Sequence, residues 1–237
     1  RATQIRFHPF LFEELQGDFH LIRALTTGLL PSIYLSPEPY HDLQDYVGIY
    51  LKEEIMNEAL VRNLPAFSRF LEVAALSNGQ MINYTKMAND VSIPVSSTKE
   101  YFRILTDTLI ARELGAYNKT LKRKSIQTSK FYFFDIGVVH ALLKIKELSE
   151  NSKDFGSAFE TYLFHELQAY TDYKRLDELC YWRSVHDHEV DFILDNQYAI
   201  EVKSTTKINS DDLKGLKALK EENQIGKKGI KKFFLIS

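Results

Sequence analysis

Apolar positions between residues 64 and 117 recur at helical spacing and predict a compact unit of three helices. The first helix ends before Gly79, and its apolar stripe consists of Phe67, Phe70, Leu71, Ala74 and Ala75. A short second helix is predicted over 84–91, and the turn at 92–94 separates it from the third helix. Two helices joined by a short turn are typical of a helix-turn-helix motif.

The third helix is predicted to begin at Ser96 or Ser97, because serine is a good N-cap residue. Its buried face is expected to contain Phe102, Leu105 and Leu109. Its outward face is expected to contain Ser97, Thr98, Lys99 and Arg103. Residues 110–117 then begin a possible wing hairpin, so this part of the chain is predicted to be a winged helix.

From residue 130 the pattern changes to strands interleaved with helices, which predicts a mixed α/β domain with a central mixed sheet. Strands are predicted at the C-terminal end and over 131–134, 179–184, 190–194 and 198–203. Helices are predicted over 157–170, 210–222 and 136–144, the last with Asp135 as its N-cap. Proline and glycine divide the N-terminal region into helices, including one over 42–60. The chain is therefore predicted to have three parts, at 1–60, 61–129 and 130–237.

The segment from Glu189 to Lys203 contains two alternating runs around an Asp-Asn-Gln turn and predicts a β-hairpin. Matching apolar to apolar residues pairs 194 with 198, 192 with 200 and 190 with 202. In that register Asp191 lies opposite Glu201, and Lys203 lies opposite Glu189. Directly opposed carboxylates repel each other unless a cation lies between them.

Two opposed carboxylates followed by a lysine are typical of a metal-dependent phosphodiesterase site. Asp191 and Glu201 are expected to bind Mg²⁺, which prefers oxygen ligands. Lys203 is expected to orient the attacking water and to stabilise the charge that develops at phosphorus. The alternative is a solvated strand with a ladder of Glu and Lys side chains.

The helix over 157–170 supplies a possible third carboxylate. Its buried stripe is predicted to contain Phe159, Leu163, Leu167 and Tyr170. Glu160 lies at the edge of that stripe and is the better metal ligand, whereas Glu166 lies inside it and is the better structural residue. Glu160 is therefore predicted to join Asp191 and Glu201 as a catalytic and metal-binding residue.

Composition excludes several classes of protein. Hydrophobic residues make up 44% of the chain, which excludes a disordered protein, and the single cysteine, Cys180, excludes a disulfide scaffold and fits a cytoplasmic location. No apolar run is long enough for a membrane helix, so no membrane partner is expected. The net charge of −2 gives no overall basic field, so any nucleic-acid site is expected to be a local patch.

The clearest basic patch lies in residues 118–130, which contain no acidic residue. Its DNA-contacting residues are predicted to be Lys119, Lys122, Arg123 and Lys124, together with Lys99 and Arg103 of the third helix. The alternative is a solvated hairpin without a ligand. His186 and His188 are predicted not to bind metal, because a zinc site needs more placed ligands.

The residues Asp191-x9-Glu201-Val202-Lys203 resemble the PD-(D/E)xK nuclease motif, although Val190 stands where a proline usually precedes the aspartate. The whole chain also resembles the C-terminal portion of a prokaryotic AAA+-type ATPase family that ends in a domain of unknown function. Phrases that carry this resemblance include Arg6-Phe7-His8-Pro9-Phe10, Lys130-Phe131-Tyr132-Phe133-Phe134-Asp135 and Tyr181-Trp182-Arg183.

The resemblance implies a P-loop domain before Arg1, a helical lid remnant over 1–60, a winged helix and a nuclease-like end. The chain is thus expected to be a piece of a longer protein. No G-x-x-x-x-G-K-[ST] motif is present, so ATP is expected to bind to the parent protein and not to this chain. The expected function is DNA binding with Mg²⁺-dependent phosphodiester cleavage. The alternative is a non-catalytic nuclease-fold module for partner binding or homo-oligomerisation of the ATPase.

Overall fold

The computed structural model describes residues 5–50, 63–120, 124–150, 152–223 and 229–237. The chain forms two compact units. The helical unit consists of residues 8–113 and 131–150, and the sheet unit consists of residues 1–7, 114–130 and 151–237. The mixed α/β class with a mixed sheet is confirmed, whereas the division at residues 60 and 129 stays a prediction.

The helical unit begins with four short helices that proline and glycine separate. These are α1 (Phe12–Leu15), α2 (Leu21–Thr27), α3 (Pro31–Tyr34) and α4 (Pro39–Asp45). A 3-10 turn follows α1 at Gln16–Asp18, and a π-helical turn follows α4 at Tyr46–Tyr50. As far as residue 50, the predicted helix over 42–60 corresponds to the end of α4 and this π turn. Residues 51–60 lie outside the described residues.

The rest of the helical unit has the element order of a winged helix. Its elements are α5 (Leu64–Leu76), β1 (Gln80–Met81), α6 (Tyr84–Val91), α7 (Val95–Asp107), the start of β2 (Ala111–Ala116), most of β3 (Lys130–Phe133) and α8 (Ile136–Leu143), because residues 114–130 belong to the sheet unit. The strand order is β1-β3-β2. The Phe102 ring packs edge-to-face against Phe70 and Phe131, with centroids 5.0 and 4.5 Å away, and so joins the helices to the strands.

The third helix of this winged helix differs from the prediction at both ends. Pro94, not Ser96 or Ser97, is the N-cap, and its carbonyl accepts the Thr98 N–H at 3.1 Å. Thr98 is therefore buried and not outward-facing. Leu109 lies beyond the end of α7 with φ +62°, and it is exposed because it no longer follows the helical stripe.

Asp135 caps α8 as predicted and also fixes the loop that precedes α3. Its carboxylate accepts the Gly137 N–H at 2.8 Å and the Leu29 N–H at 2.7 Å. Burial raises the pKa of Asp135 to about 6, although these backbone donors favour the ionised form. Gly28 has φ +76°, and a Cβ there would lie 1.9 Å from Asp135 Oδ1, so this approach requires glycine.

Over its described residues, the sheet unit contains the end of β2, the first residue of β3, four further strands and two helices. These are α9 (Lys153–Lys174), β4 (Cys180–Arg183), β5 (Glu189–Leu194), β6 (Tyr198–Val202), α10 (Lys214–Asn223) and β7 (Lys232–Ile236). The strand order is β2-β4-β5-β6-β7, with the β5 pairings antiparallel and the β2–β4 and β6–β7 pairings parallel. Both helices pack on β5, which is why its residues from 190 to 194 are all buried.

The β5–β6 hairpin has the predicted register at its turn. Leu194 pairs with Tyr198 and Phe192 with Ile200, so the loop contains three residues. The Gln197 N–H donates to the Leu194 carbonyl at 3.0 Å, and the two central residues of this turn, Asp195 and Asn196, both have φ +53°, as in a type I′ turn. The pairing of β4 with β5 shifts by one residue near Asp191, because three steps along β5 span two steps along β4. Such irregularities redirect side chains locally, and here the redirected side chains are candidate site residues.

Candidate active site

The hairpin brings the three residues of the predicted motif together in the sheet unit. The side chains of Asp191 and Glu201 are buried, and Lys203 is half-buried. Asp191 Oδ2 accepts the backbone N–H of Val202 at 2.8 Å. Lys203 Nζ donates to Glu201 Oε1 at 2.5 Å. The motif therefore forms a cluster of two buried carboxylates and one partly accessible ammonium.

One oxygen of Glu201 has no hydrogen-bond partner in the part of the chain that the structure describes. Glu201 Oε2 is buried and accepts no hydrogen bond from any residue that the structure describes. Leaving a buried carboxylate oxygen unsatisfied is costly, so this atom is an open position for a cation or a donor. Gly215 of α10 lies beside it, since a Cβ there would lie 3.5 Å from Glu201 Oε2 and 1.7 Å from the Glu189 carbonyl oxygen.

Lys130 is a member of the cluster to which the sequence pattern gives no site role. Lys130 Nζ lies 2.6 Å from Glu189 Oε1 and 3.3 Å from Glu160 Oε1, and its side chain is 6% exposed. Burial lowers the pKa of Lys130, but the nearby carboxylates outweigh it and the net shift is upward. A lysine that opens an otherwise apolar strand is the one signal in the sequence that could have identified it.

Glu189 and Lys203 do not pair as the hairpin register predicted. Glu189 pairs with Lys130 and also with Arg183, whose Nη1 lies 3.2 Å from Glu189 Oε2. Lys203 instead pairs with Glu201 on its own strand. The regular β5–β6 pairs run only from Leu194–Tyr198 to Phe192–Ile200, so cross-strand alternation does not reach Glu189 and Lys203, and each pairs with a nearer charge instead.

Glu160 reaches the cluster from α9, but the predicted buried stripe of that helix is wrong. Its buried residues are Ala158, Thr161, Tyr162, Phe164, His165, Ala169 and Thr171. Tyr170 is 49% exposed, and the Phe164 ring meets Phe192 of β5 at 6.3 Å. Small residues on this face allow the helix to approach the sheet, and Glu160 at its flank contacts Lys130. Glu166 is only partly buried.

Burial and mutual repulsion disfavour the ionised forms of the buried carboxylates. Burial, with help from Glu160 and Glu201, raises the pKa of Asp191 to about 8, although Lys130 and the Val202 N–H oppose this shift. Burial also raises the pKa of Glu201 despite the hydrogen bond from Lys203. A divalent cation between Asp191 and Glu201 would relieve both effects.

The donors fit Mg²⁺ as a two-carboxylate site. Mg²⁺ is commonly bound by one or two carboxylates and keeps several waters. Asp191 and Glu201 supply these oxygens, with Glu201 Oε2 unpartnered. Within the described ranges, no group of three or more His, Cys, Asp or Glu side chains forms a ready-made metal site. The arrangement therefore offers no closed protein cage.

The predicted DNA-contacting residues lie in different settings. In the helical unit Lys99 is exposed over the Tyr84 ring, whereas Arg103 pairs with Glu100 at 2.5 Å and Asp107 at 3.3 Å. In the sheet unit Lys119 donates to Asn196 at 2.9 Å and Lys124 is exposed. Lys122 and Arg123 lie outside the described residues.

Residues 124–126 of the basic stretch are hydrogen-bonded to residues at the end of β4. This described part of the stretch is therefore not the solvated tip of a hairpin. The Ile126 N–H donates to the Arg183 carbonyl at 2.8 Å, and the Val185 N–H donates to the Lys124 carbonyl at 3.1 Å.

Cys180 lies on β4, and burial raises the pKa of its thiol to about 11, which disfavours a nucleophilic thiolate. His186 is exposed.

Comparison with known proteins identifies the family. Residues 18–149, more than half of the chain, match the family model described as Domain of unknown function (DUF8612). The chain belongs to the DUF8612 family. Residues 155–234, which contain α9 and the strands that carry the acidic cluster, match a second model, described as Domain of unknown function (DUF4143).

Two mycobacterial proteins are similar to this DUF8612 chain. They are Uncharacterized protein Rv2008c of Mycobacterium tuberculosis and Uncharacterized protein Mb2031c of Mycobacterium bovis, each 24% identical over 167 residues. The match covers 68% of this chain and 37% of each relative, so the chain spans well under half the length of these curated relatives. No solved structure matches. Across the described residues, no helix combines the length and apolar character needed to cross a membrane.

Proposed function

We propose that the sheet unit is a nuclease-like module that binds Mg²⁺ at Asp191 and Glu201 and hydrolyses phosphodiester bonds. The observation that carries this proposal is the buried, unpartnered Glu201 Oε2 beside Asp191 and Lys203. A buried carboxylate oxygen without a hydrogen-bond partner is unfavourable in a purely structural residue, whereas a metal ligand needs an oxygen that is free to bind the ion. The similarity to the PD-(D/E)xK motif supports the same assignment.

Each residue of the cluster would have a distinct role in the reaction. Bound Mg²⁺ supplies polarisation of the scissile phosphate and a water of lowered pKa. Asp191 would bind the ion with its carboxylate oriented by the Val202 N–H, and Glu201 would bind it through Oε2. Lys203, which is partly accessible, would hold the attacking water and stabilise negative charge on the phosphate.

A row of lysines supports nucleic acid as the substrate. Helix α10 packs against the cluster at Gly215, and its exposed face contains Lys214, Lys217 and Lys220. Spacing of three residues places these ammonium groups on one side of the helix. Lys214 pairs with Asp211, whereas Lys217 and Lys220 have no ion-pair partner among the described residues. Lys119 and Lys124 add cations to the same unit.

The helical unit would serve a parent ATPase. The resemblance to the C-terminal portion of an AAA+-type ATPase supports a lid remnant in the four short helices and a DNA-binding winged helix after them. ATP would bind to a P-loop domain elsewhere in the parent protein. Glu100 and Asp107 neutralise Arg103, so Lys99 is the more available cation of α7. Because α7 then offers few cations to phosphate groups, the sheet unit would provide most of the DNA contacts.

The decisive experiment is a cleavage assay on end-labelled single-stranded DNA, double-stranded DNA and RNA with Mg²⁺ or Mn²⁺. The unsubstituted chain, Asp191→Asn, Glu201→Gln and the control Glu178→Gln would be compared, because Glu178 is an exposed acid of the same unit. We expect metal-dependent cleavage by the unsubstituted chain and the control, and none by the other two variants. Equal cleavage by all four proteins would contradict the proposal.

A second candidate function is a non-catalytic module for partner binding or self-association. The observation that favours it is the pairing of Lys130 and Arg183 with Glu189 and of Lys203 with Glu201, which neutralises much of the acidic cluster without metal. A protein that binds no Mn²⁺ and cleaves no nucleic acid would support this candidate. Sedimentation velocity would then test for a homo-oligomer.

A further inference from the structure

The buried ammonium of Lys130 lies among three carboxylates of the sheet unit. It contacts Glu189 and Glu160 directly, and it lies near enough to Asp191 to stabilise the ionised carboxylate. We infer that Lys130 takes the place of a second metal ion, so that the site binds one divalent cation through Asp191 and Glu201 and does not use Glu160 as a ligand. This inference rests on the proposed function, because it specifies the stoichiometry and ligands of that same site.

The contacts of Lys130 use the oxygens that a second ion would need. Two-metal sites hold their ions about 3.5–4 Å apart and share carboxylates between them. Here Glu160 Oε1 and Glu189 Oε1 already face Nζ at 3.3 and 2.6 Å, and Arg183 contacts Glu189 Oε2 at 3.2 Å. A second divalent ion at this place would have to displace a buried ammonium or lie beside two cations.

The surroundings of Lys130 hold its ammonium in place. The side chain is 6% exposed, so it has no short route to solvent. Nζ lies 5.4 Å from the centroid of the Tyr181 ring, and the Tyr181 hydroxyl donates to the Thr128 carbonyl of the segment that leads into β3. Leaving this position would cost the ammonium two ion pairs and a cation–π contact, while Glu160 and Glu189 would each lose one ion pair.

On the other side of the cluster, a buried carboxylate oxygen without a hydrogen-bond partner among the described residues is available to one ion. Glu201 Oε2 is unpartnered, and the side chain that carries it is more than nine-tenths buried. Asp191 is the nearest buried carboxylate on the facing strand, and its Oδ2 is oriented by the Val202 N–H. Two carboxylates with water completing the coordination match the usual Mg²⁺ environment. Glu160 differs from Asp191 and Glu201 because one of its carboxylate oxygens already forms an ion pair with Lys130.

Mn²⁺ titration of the intact chain tests the inference without an activity measurement. Isothermal titration calorimetry, with electron paramagnetic resonance of free Mn²⁺, would give the stoichiometry and Kd. We expect one Mn²⁺ per chain. Glu160→Gln should leave the Kd within about twofold, whereas Glu201→Gln should weaken binding at least about tenfold. Two ions bound to the unsubstituted chain, or equal losses in both variants, would overturn the inference.

Substitution of Lys130 supplies the complementary test. Lys130→Gln removes the ammonium and should allow a second Mn²⁺ to bind, whereas Lys130→Arg keeps the charge and should still bind one. One ion in Lys130→Gln, with native circular dichroism, would overturn the inference. If Lys130→Gln does not fold, the comparison of Glu160→Gln with Glu201→Gln decides alone. Absence of Mn²⁺ binding in the unsubstituted chain would instead overturn the proposed function itself.

Discussion

The Asp191 carboxylate accepts the backbone N–H of Val202 at 2.8 Å and so connects β5 to β6 beyond the last regular pair, Phe192 with Ile200. A side-chain oxygen here takes the place that a strand carbonyl has in a continuous ladder. This bond fixes the orientation of the Asp191 carboxylate, one of the two proposed metal ligands. Its donor, Val202, is the neighbour of Glu201, the other proposed ligand, on β6. It thereby couples the folding of the hairpin to the geometry of the site.

Asp191→Asn should stabilise the metal-free protein increasingly as the pH rises. The folded-state pKa of Asp191 is raised to about 8, so the stability that this group contributes is full below about pH 4 and is lost as the pH rises through 8. Asparagine has no charge to bury and can still accept the Val202 N–H. Urea unfolding at pH 6 and pH 9 should show the advantage growing to about 1 kcal/mol or more. An advantage that is constant with pH, or a loss, would contradict this.

Mn²⁺ affinity should rise with pH between about 6 and 8 and then level off. The ion must displace the proton that Asp191 retains up to about pH 8, and Glu201 is shifted in the same direction. With one proton displaced, the affinity should increase up to about tenfold per pH unit. Calorimetry in two buffers of different ionisation enthalpy would detect the released proton. Affinity that does not vary across this range would show that Asp191 is not a ligand.

Lys203→Ala should lower the rate of phosphodiester cleavage by about 10²–10³-fold while Mn²⁺ binding persists. The lysine pairs with Glu201 Oε1 and leaves Oε2 available to the ion, so its loss removes transition-state charge stabilisation and spares both carboxylates. Single-turnover rates and Mn²⁺ Kd values measured on the same preparation would separate the two effects. A variant that cleaves at the original rate would refute this role of Lys203.

Gly28→Ala should destabilise the helical unit by at least about 2 kcal/mol, because the backbone there has φ +76° and ψ −169°, a region nearly restricted to glycine. The added Cβ would also collide with the buried Asp135 carboxylate. Gly17→Ala is the matched control, since nothing lies within 4 Å of its Cβ position. Thermal unfolding followed by circular dichroism should show a lower Tm for Gly28→Ala alone. Equal Tm values would be incompatible with this packing.

Replacing Lys217 and Lys220 with glutamine should weaken DNA binding and reduce its salt dependence. Each phosphate contact contributes roughly 0.9 to the slope of log affinity against log salt concentration, so the double variant should lose up to about 1.8. Lys153 and Lys174, exposed on α9 of the same unit, provide a charge-matched double control. Fluorescence anisotropy at several salt concentrations gives both slopes. Identical slopes in the two double variants would remove α10 from the proposed DNA contacts.

Sequence alone was sufficient where neighbouring residues decide the structure. Alternation fixed the hairpin register near Leu194 and Tyr198, because a slip of one residue would turn the apolar side chains to the wrong face. The N-cap role of Asp135 and the bounds of α6 were also predictable, since a cap and a helical period depend on only a few successive residues. These local features brought Asp191, Glu201 and Lys203 into one cluster.

Tertiary structure alone determined which charges pair and which face of α9 is buried. Lys130 and Glu160 are 30 residues apart, and no periodicity along the chain relates them, so the sequence pattern does not predict their ion pair. The face of α9 follows from how closely it can approach β5, which depends on small residues such as Ala158 and on the Phe192 ring. Long-range packing and burial therefore decided the electrostatics of the site, whereas the local pattern decided the strands that carry it.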